Sequence, residues 1–469
     1  MQYAVRNPQS TMNITYVLLS PTFGMHQYTA DLANRAAAGA FEPANVSTSQ
    51  RSNVRLITTT TLPRDRYSPA VQVVTPVTTH GTGFSREGLD LAACRRVLAA
   101  LTAEAPADQP DPTPHEHRTS AARRSPSAIC HFTGVHLWNL PLVYALRRRG
   151  VPVIHTLHDL DPHHGVRFAG LIRLWNRLII ASGCHILVHG RRYRERLIAA
   201  GVPPARITCA PLLHGFLSAA YPWPPALQEA GDTGQGPGGN GGWDAWPFTV
   251  LFFGRVEAYK GVDLLLEAWK MLPENGPEKH SMMMEAAQAP GARRELRLLI
   301  AGPIAAGVSL PPLPPGVELR ARLILDEEAD ALFRTADLLV LPYRDASQSA
   351  LIAAAYAYGL PVIVTRAGAL PEYVAEGETG WVAPPGDPSA LAAALATAAD
   401  AAARCAAQSN AGQPTTPRAD TGGGFPGRAA VRGRFDTWRR EEEAILTAMY
   451  TMCCRQYADR RTCIPGGRP

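Results

Sequence analysis

The chain has 469 residues, of which 46% are hydrophobic and 18% charged, and its formal net charge is +6. That is too long for one ordinary core and too apolar for a disordered chain, so two domains with insertions are expected. Apolar runs are interrupted by charge before they reach the length of about 18 residues that a membrane span needs. The longest, Leu171 to Val188, contains Arg173, Arg177 and His185, and the N-terminus shows no basic-then-apolar leader.

In chain order, residues 13–19 read as an apolar strand, followed by a turn with Gly24 and a helical pattern over 25–38. Further strands are predicted at 54–59, 71–75, 127–132, 151–156, 184–188 and 206–210, with helices at 136–149, 168–181 and 190–200. Strand alternating with helix implies a parallel sheet covered on both faces. A glycine-rich stretch at 228–246 reads as a linker. A second alternation then begins: strands at 248–253, 296–300, 317–320, 337–341 and 361–364, and helices at 261–271, 327–334, 349–358 and 388–401, with a short helix near 371–376. Segments 103–126, 273–293 and 404–428 are rich in Pro, Gly, Ala and polar residues and read as insertions or loops. Residues 433–455 read as a final amphipathic helix.

The expected fold class is therefore α/β, two doubly wound Rossmann-like domains facing a cleft. The domains are expected to span 12–222 and 247–402. Ligands of such sheets collect at the carboxyl ends of the strands. The eight cysteines are scattered, without a C-x-x-C pair, which points to a reducing cytoplasm.

Of the 46 lysines and arginines only Lys260, Lys270 and Lys279 are lysines. Arginine clusters therefore carry little signal, and a retained lysine carries more. The runs Arg147 to Arg149 and Arg191 to Arg196 read equally as solvated helix faces or as a surface for an anionic membrane or phosphorylated acceptor. No nucleic-acid motif accompanies them.

The segment Phe252 to Trp269 is the most informative. A strand ends, Gly254 allows a tight turn, Arg255 follows, and Lys260 with Gly261 opens a helix. Fixed cations beside a helix N-terminus meet the needs of a diphosphate. Here the chain resembles the family-4 retaining glycosyltransferases of the GT-B fold. Their F-x-G-R-x(4)-K-G pattern matches Phe252, Gly254, Arg255, Lys260 and Gly261. Ala301-Gly302-Pro303, the run Ala336 to Tyr343, and the run Gly359 to Asp387 resemble later units of the family. Phe23 to His26 and His155 to His163 resemble its N-terminal loops.

The resemblance implies a transferase that moves a sugar from a nucleotide-diphosphate donor to an acceptor hydroxyl, with retention and without a metal or other cofactor. It implies that Arg255 and Lys260 clamp the diphosphate and that His158 reaches the donor, so these three form the catalytic set. Gly254, Gly302, Ser347, Gln348, Ser349 and Ala350 are the donor-binding set, and Gly24, His26, His136 and Trp138 the acceptor-side set. Core packing is an equal reading for Trp138, a surface histidine for His26, and a plain N-cap for Ser349. His155, His158, Asp159, Asp161, His163 and His164 admit three readings: the family role of His158, a metal site, or a polar loop with helix caps. The partners implied are a nucleotide sugar and a glycan or lipid-linked saccharide, in glycan or exopolysaccharide synthesis. The location implied is cytoplasmic, with peripheral association at the inner membrane face.

One departure stands out. The family's two glutamates fall here on Ala346 and Ala354, and the local string instead resembles a T-Q-S-G-like turn. Asp345 lies one residue from the first missing carboxylate. The loss keeps open a binder or partner subunit that retains the fold, and a hydrolase or epimerase on the same plan.

Overall fold

The computed structural model describes residues 12–20, 23–42, 53–59, 66–81, 83–103, 128–160, 169–215, 225, 247–272, 295–410 and 425–462. The chain divides into two compact units. One takes in Met1–Leu160, Gly170–Ala210 and Glu441–Pro469; the other takes in Asp161–Ala169 and Pro211–Arg440. The proposed linker at 228–246 and the insertions at 104–126 and 273–293 lie outside the described residues, as do Asp161, His163 and His164.

The first unit runs β1 (Asn13–Leu18), α1 (Phe23–Ala37), β2 (Val54–Thr58), β3 (Val71–Val74), α2 (Leu91–Thr102) and β4 (Ala128–Phe132). It continues with α3 (Asn139–Arg148), β5 (Val153–Thr156), α4 (Ala169–Ala181), β6 (His185–Val188), α5 (Arg191–Ala199) and β7 (Ile207–Cys209). Its sheet has seven strands in the order β3-β2-β1-β4-β5-β6-β7. Every pairing is parallel. Four-residue runs such as HILV in β6 are buried throughout, which a sheet sandwiched between helices requires.

The second unit runs β8 (Phe248–Phe253), α6 (Val262–Lys270), β9 (Leu296–Ala301), β10 (Val317–Arg320), α7 (Asp326–Thr335) and β11 (Leu338–Leu341). Then come α8 (Ala350–Ala357), β12 (Val362–Thr365), β13 (Gly380–Ala383) and α9 (Pro388–Asn410). Its six strands are ordered β10-β9-β8-β11-β12-β13, again all parallel. In both sheets the order reverses beside the first strand, between β1 and β4 and between β8 and β11. These are the switch points where doubly wound sheets open a crevice for ligands.

The last helix, α10 (Arg428–Thr462), starts earlier than the expected 433 and continues to Thr462. Its residues through Arg440 belong to the second unit and those from Glu441 to the first. In the first unit it brings Leu446, Met449 and Tyr450 into the core, and Glu442 is 2% exposed. The Tyr450 hydroxyl lies 3.1 Å from that of Tyr16 and 2.9 Å from His131 Nδ1. Arg35 of α1 donates to Glu442 at 2.7 Å and to Glu443 at 3.0 Å.

Three local expectations change. The helix at 388–401 continues to Asn410, so residues 404–410 are helical rather than loop; the run AAARCAAQSN is rich in alanine, the best helix former. The helix α2 was not anticipated, although Asp90 caps it by accepting from the Ala93 N–H at 2.9 Å. The strand β13 (GWVA) was also passed over, its short run hidden among turn residues.

Candidate functional site

The second unit's switch point assembles the residues that point most directly to chemistry. The β8 strand ends at Phe253, and the Gly254 N–H donates to the Ala301 carbonyl at 2.9 Å. Pairing resumes beyond the turn, where the Val256 N–H donates to the Pro303 carbonyl at 2.9 Å. Between these rungs the backbones nearly touch. A Cβ on Gly302, whose φ is +147°, would lie 2.1 Å from the Gly254 carbonyl oxygen. Only glycine fits there. The Gly302 N–H is itself taken by the Arg320 carbonyl at 3.0 Å. Gly302 therefore contributes close approach of two loops, and its N–H serves the sheet.

A short 3₁₀ turn, Ala258–Lys260, follows, ending on Gly261 at φ +67°. A Cβ on Gly261 would meet the Pro342 carbonyl at 2.1 Å, so the start of α6 is pressed against the end of β11. Folding the turn this way sends Lys260 back over the strand end: its Nζ lies 3.6 Å from where a Gly254 Cβ would sit. The ammonium is 5.9 Å from the Tyr259 ring centroid and 5.8 Å from that of Tyr343, a cation–π setting. No carboxylate pairs with Lys260 among the described residues. Burial pushes its pKa below the ordinary lysine value; Glu257 opposes the shift and Arg255 adds to it. Arg255 is far more open, 59% exposed, with its Nε 3.5 Å from Glu257 Oε1.

The loop after β11 closes the other side. Arg344 binds Asp263 of α6 through both guanidinium arms, at 2.7 and 2.6 Å. It also holds the lysine's turn, with its N–H on the Tyr259 carbonyl at 2.7 Å and Nη1 on the Ala258 carbonyl at 2.9 Å. Ser349 N-caps α8, accepting from the Leu351 N–H, and its side chain also hydrogen-bonds Tyr343. Ser347 is 2% exposed, and its carbonyl accepts from the Ala369 N–H at 3.0 Å. Gln348 is half-buried, and Ala350 is the first residue of α8. Ala346 is buried and Ala354 fully so, and no carboxylate stands at either position.

Within the second unit the structure therefore brings Gly254, Lys260 and Gly302 together, with the side chain of Leu351 3.7 Å from the same Gly254 position. Sequence reasoning missed Tyr343, Tyr259, Arg344 and Asp263. Tyr343 was visible only as the end of a motif, and the Arg344–Asp263 pair joins positions 81 residues apart.

The first unit gathers a different set at its own strand ends. His158, half-buried, donates from Nε2 to the Thr133 carbonyl at 2.9 Å and meets the Tyr28 ring edge-on at 5.0 Å. Burial lowers its pKa, against the carbonyl hydrogen bond and Asp159. His136 and Trp138 are each 1% exposed and pack ring on ring at 4.6 Å, and the Trp138 N–H donates to His136 Nδ1 at 3.0 Å. Of the two readings of Trp138, core packing is what the coordinates show. Burial drives His136 down to about 4. His26 is buried on the Tyr67 ring at 5.4 Å, not a surface histidine. Gly24 is exposed in the first turn of α1, with open space around it.

Residues 247–400 match the family glycosyl transferases group 1, and residues 23–212 match the glycosyl transferase 4-like domain. A D-inositol 3-phosphate glycosyltransferase from Corynebacterium efficiens is 34% identical over 164 residues, 32% of this chain and 34% of that protein. One from Streptomyces avermitilis is 31% identical over 162 residues, 32% of each. The chain thus matches about a third of the length of these curated relatives. Among solved structures, the HepE protein of Anabaena in complex with UDP and glucose superposes with TM-score 0.54 at 14% identity. That match covers 97% of this chain and 100% of HepE. Sucrose-phosphate synthase from Thermosynechococcus elongatus gives 0.52 at 17%, covering 96% and 98%. At such identities the likeness is one of fold, two parallel-sheet α/β domains of the GT-B type. With both units matched over most of their length, the chain belongs to the group-1, family-4 glycosyl transferases.

Proposed function

We propose that this chain transfers a sugar from a nucleotide-diphosphate donor to an acceptor hydroxyl, with retention at the anomeric carbon and without a metal. The observation that carries the reading is Lys260: a desolvated ammonium, unpaired with any described carboxylate, held over the Gly254 turn at a sheet switch point. A buried cation without a counter-ion is costly, and an incoming diphosphate supplies the missing charge. Arg255, 59% exposed beside it, adds the second cation. Together they stabilise the charge that grows on the leaving diphosphate as the glycosidic bond breaks. His158 contacts the donor, and an acceptor hydroxyl on a glycan or lipid-linked saccharide attacks, passing its proton to the leaving phosphate. The HepE structure names UDP and glucose, so UDP-glucose heads the donor panel.

The test is donor turnover and nucleoside-diphosphate binding by calorimetry. Lys260→Ala should weaken UDP binding about 10- to 100-fold, the loss of a charge-assisted hydrogen bond worth about 1.5–3 kcal/mol. An unchanged affinity would sink the assignment of the diphosphate to this turn.

A second reading rests on Ala346 and Ala354, where no carboxylate is left to hold the donor sugar or ribose. It makes the chain a nucleotide-sugar binder or partner subunit. Tight binding with neither transfer nor donor hydrolysis across the whole panel would favour it.

A further inference from the structure

We propose that Tyr28 and Thr29 of α1 are positioning residues that hold His158 in one orientation and one tautomer, with its proton on Nε2. The inference rests on the reading above in which His158 contacts the donor, and on contacts that lie wholly within the first unit.

His158 follows the end of β5 by two residues, and Thr133 is the first residue beyond β4, the neighbouring strand. A carbonyl only accepts, so the 2.9 Å contact between His158 Nε2 and the Thr133 carbonyl places a proton on Nε2. Burial keeps the ring neutral at pH 7, and Nδ1 then carries a lone pair that can only accept. A hydroxyl suits such an atom and an ionised phosphate oxygen does not. Which nitrogen holds the proton therefore decides what the ring can meet.

The Thr133 carbonyl is itself fixed from α1. The Thr29 hydroxyl donates to the Met25 carbonyl, one turn back in the helix, at 2.7 Å. That leaves its oxygen to accept from the Thr133 hydroxyl, also at 2.7 Å, and both threonines are fully buried. The Thr133 N–H donates to the Val17 carbonyl at 3.1 Å, and the next carbonyl, that of Gly134, accepts from Asn139 at 2.6 Å. The peptide group that receives the His158 proton is thus held on both sides. Tyr28, the residue before Thr29, supplies the wall. Its ring meets His158 at 5.0 Å and His189 at 5.2 Å, nearly perpendicular to each. Its hydroxyl lies 3.4 Å from that of Thr156, and His189 is anchored by donating from Nδ1 to the Ala210 carbonyl at 3.0 Å. Two consecutive residues of one helical turn therefore hold the imidazole and the group it donates to.

The test is nitrogen NMR of the full chain carrying labelled histidine, with His158→Gln identifying the signal, beside donor turnover and UDP binding by calorimetry. In the wild-type chain His158 should show the single Nε2–H tautomer. Thr29→Val keeps the side-chain shape and removes the hydroxyl. It should mix the two tautomers and lower kcat about tenfold, with UDP affinity unchanged. Tyr28→Leu should act alike, whereas Thr29→Ser and Tyr28→Phe should keep the wild-type spectrum and rate. Circular dichroism checks that each variant folds; should Thr29→Val fail, Tyr28→Leu against Tyr28→Phe carries the test. An Nδ1–H or mixed tautomer in the wild-type chain overturns the proposal. So do folded variants that leave spectrum and kcat untouched while His158→Gln lowers kcat. Undiminished turnover in His158→Gln sinks instead the donor contact of His158, and the spectra alone then decide whether α1 holds the tautomer.

Discussion

Lys260 shows how a single residue can be costly to the fold and useful to the reaction. Its native pKa lies below the lysine value of about 10.4 that it regains on unfolding. Between those two values the unfolded chain binds more protons, so this residue's contribution to stability rises with pH and is a net penalty at neutrality. Lys260→Met should therefore raise the urea midpoint at pH 7 while lowering diphosphate affinity. The stability gap between variant and wild type should shrink as pH climbs towards 10. Urea titrations of both proteins at several pH values check this, and a gap that widened would contradict the buried, unpaired ammonium. Lys260 was legible in the sequence because so few lysines survive and because its glycine neighbours mark a turn. The two tyrosines that flank it were not. Tyr343 reaches the lysine only because β11 lies beside β8, which is a fact of sheet order rather than of local pattern.

At the scale of elements, the 3₁₀ turn before α6 is too short to hold itself, and Arg344 fastens it. The Arg344–Asp263 pair is 37% and 43% exposed, so as a salt bridge it is worth at most about 1 kcal/mol of stability. Its weight lies in positioning, since the same arginine takes the Ala258 and Tyr259 carbonyls. Asp263→Asn should leave the melting temperature nearly unchanged yet lower UDP affinity about tenfold through a displaced ammonium. In a Lys260→Ala background the same change should have no further effect, which a double-mutant cycle by calorimetry will show. Most elements were readable beforehand because fully buried parallel strands are continuous apolar runs and their helices are amphipathic. The exceptions have local causes. β13 is four residues among turns, and the extension of α9 is an alanine tract whose composition resembles a loop while its propensity is helical.

Across the whole molecule, the first unit concentrates histidines that are neutral by burial. His155 is pushed down to about 3, His136 and His185 to about 4, and His131 well below its usual range, in each case chiefly by desolvation. An unfolded histidine titrates near about 6.5, so below that pH the unfolded chain takes up protons that the native unit refuses. The stability these residues contribute is complete above pH of about 6.5 and drains away as pH falls towards 3–4. Tryptophan fluorescence during acid titration should show loss of the first unit over that window, and an unchanged midpoint in denaturant from pH 7 to 5 would refute it. The same unit depends on the ion pair between Arg35 and Glu442. Arg35→Ala leaves a carboxylate that is 2% exposed without its counter-ion, and urea denaturation should register a loss of about 3–5 kcal/mol. Because Glu442, Leu446, Met449 and Tyr450 come from α10 beyond Arg440, the earliest-synthesised half of the polypeptide stays incomplete while the other half is being translated. A nascent chain halted before residue 441 would carry an open socket around Tyr16 and His131, and would be the form most exposed to chaperones and proteases.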